Sequence, residues 1–216
     1  MIAQVQAALA QAVDLGGPVV VILLAVSVAS AAVILYKLWQ FAASGVGRHA
    51  ELGRAVAALD TGATDEARAA LDRSRSYLRP VIEMALDGPR DAARLDAEAE
   101  LRFARLERGF RFLDTVAQLA PLLGLFGTVL GMISAFQALQ EAGAQVDPSV
   151  LAGGIWVALL TTAAGLAVAM PTAACLSWLE ARIESERVFA ERALRVLLAP
   201  ATMTQPTQAE GHARPA

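Results

Sequence analysis

The sequence predicts an all-α integral membrane protein with three transmembrane helices, N-terminus out and C-terminus in, whose long helices extend into a cytoplasmic helical bundle. Three observations carry this. The chain has 216 residues, of which 56% are hydrophobic and 18% charged; an average soluble domain has about 45–50% and about 25%. Three stretches, Leu15–Tyr36, Thr115–Gln140 and Pro148–Leu179, contain no charged residue, and each reaches the roughly 20 residues with which a helix crosses a bilayer. All 18 Lys and Arg fall in two segments, 13 from Lys37 to Arg111 and five from Arg182 to Arg214. By the positive-inside rule both segments are cytoplasmic.

The elements follow in order. Residues 1–14 lack basic residues and are assigned outside, as a periplasmic N-terminus. Transmembrane helix 1 is placed at 15–39. With no Lys or Arg before Lys37 and too long an apolar run for a cleaved leader, it reads as a retained helix. Tyr36 and Trp39 at its end, and Trp178 at the end of the third span, suit an aromatic belt, although core packing explains a lone Trp nearly as well. Residues 40–113 form the cytoplasmic helical domain. Gly45 and Gly47, Thr61-Gly62, Pro80 and Gly88-Pro89 cut it, leaving helices over His49–Leu59, Asp65–Arg73 and Pro89–Phe112. Asp65 and Glu66 occupy a first turn, where the helix dipole favours acids. Lys37–Asp114 carries 13 basic and 13 acidic residues, the balance of a salt-bridged, solvated bundle. Arg102, Arg105 and Arg108 read as one solvated face, with lipid headgroups or partner acids as the other possibility. Asp91–Asp114 is expected to run unbroken into transmembrane helix 2, at 114–140. A periplasmic turn at 141–147 leads to transmembrane helix 3 at 148–179 and a cytoplasmic helix at 180–199. The tail 200–216, without periodicity, is expected to be disordered.

The residue types exclude most chemistry. A net charge of −3 with no strongly basic segment argues against nucleic acid. Cys175 is the one cysteine, and His49 and His212, the two histidines, lie outside the spans. No HExxH, GxSxG or P-loop pattern occurs. No catalytic residue, metal ligand or cofactor site is assigned, and the chain is not read as an enzyme. A protein that moves protons usually keeps an ionisable residue in the membrane; here such a group has to come from another chain.

What the spans do contain is small and weakly polar. Ala117, Ala120, Gly124, Thr128, Gly131 and Ala135 recur at three- and four-residue spacing in the second span. Gly154, Ala158, Thr162, Gly165, Ala169 and Thr172 do the same in the third. Such stripes let helices approach closely where lipid gives no hydrophobic drive, or line a narrow cavity for a partner helix. Gly127-x-x-x-Gly131 is a packing pattern of the same kind, and Pro121 and Pro171 are candidate kinks. Thr128 lies about 21 Å along a helix from Asp114, and Thr162 about 27 Å from Glu180, so the two hydroxyls sit at similar depth. Each either bonds the carbonyl one turn back or is free for a polar role.

At these residues the sequence resembles the ExbB/TolQ/MotA proton-channel family. Ala120-Pro121, Gly124-Leu125-Phe126-Gly127-Thr128-Val129 and Gly131 look like its second-span signature. Gly154-Ile155, Ala158-Leu159-Leu160-Thr161-Thr162-Ala163-Ala164-Gly165-Leu166 and Pro171 look like its third. Three spans fit the ExbB and TolQ branch; the four-span motor stators fit poorly. The resemblance implies a pentamer in the bacterial inner membrane, multi-pass and enclosing a pore. A dimer of a single-span ExbD- or TolR-like partner would occupy that pore and supply a membrane aspartate that takes up and releases protons. It further implies energy transduction through a TonB-like protein to outer-membrane transport or, in the TolQ case, through a TolA-like protein to the Tol–Pal system. The pore-lining threonines of the family map onto Thr128 and Thr162. One position departs: many members carry a glutamate two residues after Gly-Ile, where this chain has Val157. A passive scaffold clustering partners through the small stripes is the reading from outside this class.

Overall fold

The structure, a computed structural model, describes residues 2–88, 91–142 and 148–199. These form seven α-helices: α1 (Ile2–Ala43), α2 (Ala50–Asp60), α3 (Thr64–Arg73), α4 (Arg79–Asp87), α5 (Ala92–Glu107), α6 (Phe110–Ala142) and α7 (Pro148–Leu198). The tail 200–216 and residues 143–147 of the expected turn lie outside the described residues. Three stretches, Gly17–Ala43, Phe110–Glu141 and Pro148–Leu198, are long and apolar enough to cross a membrane. The chain divides into two units, Met1–Trp39 with Arg108–Glu180, and Gln40–Glu107 with Ala181–Ala216.

In the first unit, helix begins well before Leu15. α1 starts at Ile2 and is interrupted once, at Gly17, where φ is 66° and ψ −167°. Pro18 disfavours helical geometry in the residue before it, and glycine reaches positive φ without steric penalty. Below this break α1 packs through Val19 and Leu23 into a buried cluster with Val116 and Ala120 of α6 and Ala169 of α7. The remaining faces are apolar and uncovered: Leu35 is 67% exposed, Leu122 58% and Trp156 64%. A surface of that kind is stable in hydrocarbon or against apolar partners, not in water. Lys37 is buried, its ammonium 5.7 Å from the centre of the Tyr36 ring and 5.8 Å from that of Phe110.

The expected unbroken helix over Asp91–Asp114 is corrected. α5 ends at Glu107, α6 begins at Phe110, and between them Gly109 has φ 94°. A Cβ at this glycine would lie 3.4 Å from Val33 Cγ1 and 3.5 Å from Lys37 Cε. That is ordinary contact, so the dihedral, not crowding, calls for glycine. α6 and α7 by contrast continue through Pro121 and Pro171.

In the second unit α2 and α3 lie close to where the breakers place them, but α4 was not anticipated. Pro80 stands in its first turn, where a missing N–H costs nothing and a fixed φ favours the helix. Proline read as a breaker is here a starter. Leu52, Leu71, Ile82, Leu95, Phe103 and Leu197 are among its buried residues.

One acid sits inside this unit. Glu186 of α7 is fully buried, its Oε2 accepting from the Tyr77 hydroxyl at 2.8 Å and its Oε1 lying 2.9 Å from His49 Nε2. The His49 ring stacks on Phe189 at 4.0 Å. Arg187 donates to Glu100 at 2.8 and 3.0 Å and to Glu107 at 2.8 Å, with its guanidinium 5.0 Å from the Phe103 ring centre. Of the three arginines assigned to one solvated face, Arg105 and Arg108 are exposed. Arg102 is half-buried and donates to the Tyr77 carbonyl at 3.1 Å and to Glu98 at 2.7 Å.

Burial, then the charge of Glu186 and the hydrogen bond to it, push the Tyr77 phenol well above its ordinary value. The stability this contributes is present below about pH 10, the unfolded value, and is lost as pH rises toward the raised folded value. Tyr77→Phe is therefore expected to lower stability by about 1.5–3 kcal/mol at neutral pH and to flatten its loss at alkaline pH. Thermal unfolding of the detergent-solubilised chain across pH checks both.

Candidate functional site

The crossing of α6 and α7 is built from the residues that lack side-chain bulk. A Cβ on Gly165 would lie 2.5 Å from the Ala120 carbonyl oxygen and 3.1 Å from Gly124 Cα. A Cβ on Gly124 would lie 2.8 Å from the Thr161 carbonyl oxygen, and one on Gly127 2.7 Å from Thr161 Cβ. Farther along, a Cβ on Gly131 would lie 3.4 Å from Ala158 Cα, and Gly154 faces Ala135. Backbone thus approaches backbone from Ala120 to Ala135 on α6 and from Gly154 to Gly165 on α7. Each of these glycines lies at a helix contact; Pro121 is half-buried and Pro171 exposed.

The threonines divide into two kinds. Thr161 is buried in the crossing and donates to the Ala158 carbonyl at 2.7 Å. Thr172 is buried and donates to Val168 at 2.7 Å. Thr128 and Thr162 are half-buried. They adjoin Gly127 and Thr161, which touch, so both lie at one level of the crossing. The Thr128 hydroxyl donates to the Leu125 carbonyl at 2.6 Å, the carbonyl three residues back rather than four.

The third-span stripe therefore needs one correction. Between Pro148 and Thr172 the buried positions of α7 are Ala158, Thr161, Gly165, Ala169 and Thr172, and Thr162 flanks them. Neighbours on a helix stand about 100° apart, so only one of the Thr161-Thr162 pair can point into α6. The spacing of Ala158 and Gly165 allows either, which is why sequence alone missed Thr161.

Val157 lines a cavity of 340 Å³ in this unit, with Gly127, Leu130, Gly131, Ser134 and Pro18 among the other walls. No wall residue carries a formal charge. At the crossing the hydroxyls of Thr128, Ser134, Thr161 and Thr162 and the backbone carbonyls supply uncharged polar groups. Such groups exchange hydrogen bonds with a proton carrier but do not hold charge themselves. Among the described residues no group of His, Cys, Asp and Glu is arranged to hold a metal ion.

The pattern of the MotA/TolQ/ExbB proton channel family matches residues 65–191. An ExbB homolog of biopolymer transport from Methanothermobacter thermautotrophicus is 34% identical over 140 residues, 62% of this chain and 49% of that protein. Biopolymer transport protein exbB1 of Vibrio cholerae is 47% identical over 66 residues, 31% of this chain and 29% of its own length. The Tol-Pal system protein TolQ of Haemophilus influenzae is 42% identical over 80 residues, 37% and 35% of the two chains. The chain spans about half the length of the first of these relatives and about a third of the other two.

Proposed function

The chain belongs to the MotA/TolQ/ExbB proton channel family, and from that premise we propose that it is the wall of an inner-membrane proton channel. In this reading five copies surround an ExbD- or TolR-like partner whose single span carries the titrating aspartate. The N-terminus lies outside and the C-terminus in the cytoplasm, as the placement of basic residues favours. Proton flow drives the partner, and a TonB-like protein takes the work to outer-membrane transport. The observation that carries the proposal is the family match, which takes in the threonines and glycines of the crossing together with spans that hold no charge. Likeness to TolQ as well as ExbB relatives keeps a Tol–Pal client, reached through a TolA-like protein, as the second reading.

Thr128 and Thr162 are the proposed proton-pathway residues. A carboxylate in a low-dielectric pore is costly when charged. Because the Thr128 proton is committed to Leu125, its oxygen presents lone pairs, the arrangement that receives a protonated acid. Stabilising the carboxylate instead requires the hydroxyl to leave that carbonyl, a net exchange of about 1 kcal/mol. One charge crossing 100 mV releases about 2.3 kcal/mol, so the field outweighs the exchange at each step. Gly124, Gly127, Gly131, Gly154 and Gly165 hold the two helices at one spacing while the partner moves.

Proton flux into liposomes under an imposed potential tests this. Flux is expected from the chain with its single-span partner, and neither from the chain alone nor with the partner's aspartate changed to asparagine. Flux from the chain alone would refute the division of roles. Thr162→Val, which removes the hydroxyl at nearly constant shape, is expected to reduce partner-dependent flux by about tenfold, the equivalent of roughly 1.4 kcal/mol. Unchanged flux removes Thr162 from the pathway.

A further inference from the structure

The turn after α1 and the segment after α3 bring cationic side chains to one concavity in the second unit. A cavity of 460 Å³ is lined by Gly47, Arg48, Glu51, Arg73, Ser74 and Arg75 among others. Its walls hold three guanidinium groups against one carboxylate, and that carboxylate is occupied: Glu51 binds Arg54 at 2.7 Å and Arg73 at 3.2 Å. Among the described residues neither Arg48 nor Arg75 has a carboxylate partner, whereas Arg68, Arg79, Arg102 and Arg187 of the same unit each have one. Arg182 of α7 adds a third guanidinium without an acid. It lies directly against Gly47, where any Cβ would collide with it.

We propose that this cavity binds a phosphate group, carried by the headgroup of an anionic phospholipid. Phosphate oxygens match the guanidinium fork in two parallel charge-assisted bonds, and the uncompensated walls favour an anion over a zwitterion. The position along the chain favours a headgroup over a soluble phosphate. Gly47 follows the apolar stretch ending at Ala43, at a reach of no more than about 14 Å. Arg182 stands about 4.5 Å along α7 from Leu179, the last residue of the third uncharged run. Both residues thus follow closely on an apolar run of spanning length, where the headgroup layer of a bilayer is expected.

The test uses the full chain in detergent and native mass spectrometry. Dioleoylphosphatidylglycerol, dioleoylphosphatidylcholine and inorganic phosphate are titrated against the wild type, Arg48→Gln/Arg75→Gln, and Arg94→Gln/Arg105→Gln. The last pair removes the same charge from exposed positions of α5. Phosphatidylglycerol affinity is expected to fall by about tenfold or more in the cavity variant and to hold in the α5 variant, with phosphatidylcholine binding equal in all three. The single variant Arg48→Gln is expected to show a smaller loss of the same sign, and an unchanged melting temperature certifies its fold. Equal phosphatidylglycerol affinity in all three chains overturns the site. Inorganic phosphate binding with the same dependence on Arg48 and Arg75 overturns the headgroup assignment in favour of a soluble phosphate.

Discussion

Gly165→Val is expected to unseat α6 from α7. The first atom added at Gly165 falls 2.5 Å from the Ala120 carbonyl oxygen and 3.1 Å from Gly124 Cα. All of these are backbone, with no flexible side chain to give way. Only separation of the helices relieves the overlap, and separation opens the contacts at Gly124, Gly127 and Gly131 together. The cost belongs at or above the upper end of the about 1–3 kcal/mol usual for overpacking. Thermal unfolding in detergent should show it, and partner-dependent proton flux should fall with it. Gly153→Ala is the control: nothing lies within 4 Å of a Cβ there. A methyl added there should stabilise the helix by roughly 0.5–1 kcal/mol. Loss of stability in both variants would mean that the crossing is not what Gly165 serves.

Glu186→Ala should be nearly as damaging, in the other unit. It strips the acceptor from the Tyr77 hydroxyl and from His49 Nε2 and leaves a void around a fully buried position. Each buried donor left without its acceptor costs about 1–3 kcal/mol, and the void adds to that. Glu186→Gln keeps the volume and one acceptor oxygen, so it should retain most of the stability. If the two variants melt together within a degree of the wild type, Glu186 is not the centre of that unit.

The readability of the chain followed the physics behind each signal. Charge-free runs of helical length, and glycines spaced to let two helices meet, are averages over many residues. The three apolar helices and the glycine contacts express them. Gly109 was lost because a single glycine within a charged, Ala-rich run is compatible with a continuous helix; local sequence does not show that this glycine takes the positive φ that separates α5 from α6. Pro80 has two meanings, breaker and first-turn residue, and local sequence does not choose between them. Glu186 carries no signature among the acids around it, since its partners lie 137 and 109 residues away in the chain. Thr161 and Thr162 differ by one position, and only the facing helix tells them apart. The uncompensated arginines around Gly47 come from three separated segments that no local pattern unites.

The uncharged lining of the α6–α7 cavity around Val157 has a practical consequence for inhibitors. Carbodiimides block proton channels by reacting with a protonated carboxyl in an apolar setting. Segments 115–140 and 148–179 hold no carboxyl group, so these two segments offer such reagents no acid to modify. In an assembly containing this chain, a carbodiimide that stops current within the bilayer marks a different polypeptide. The labelled mass then identifies the carrier directly, without a mutation in either subunit.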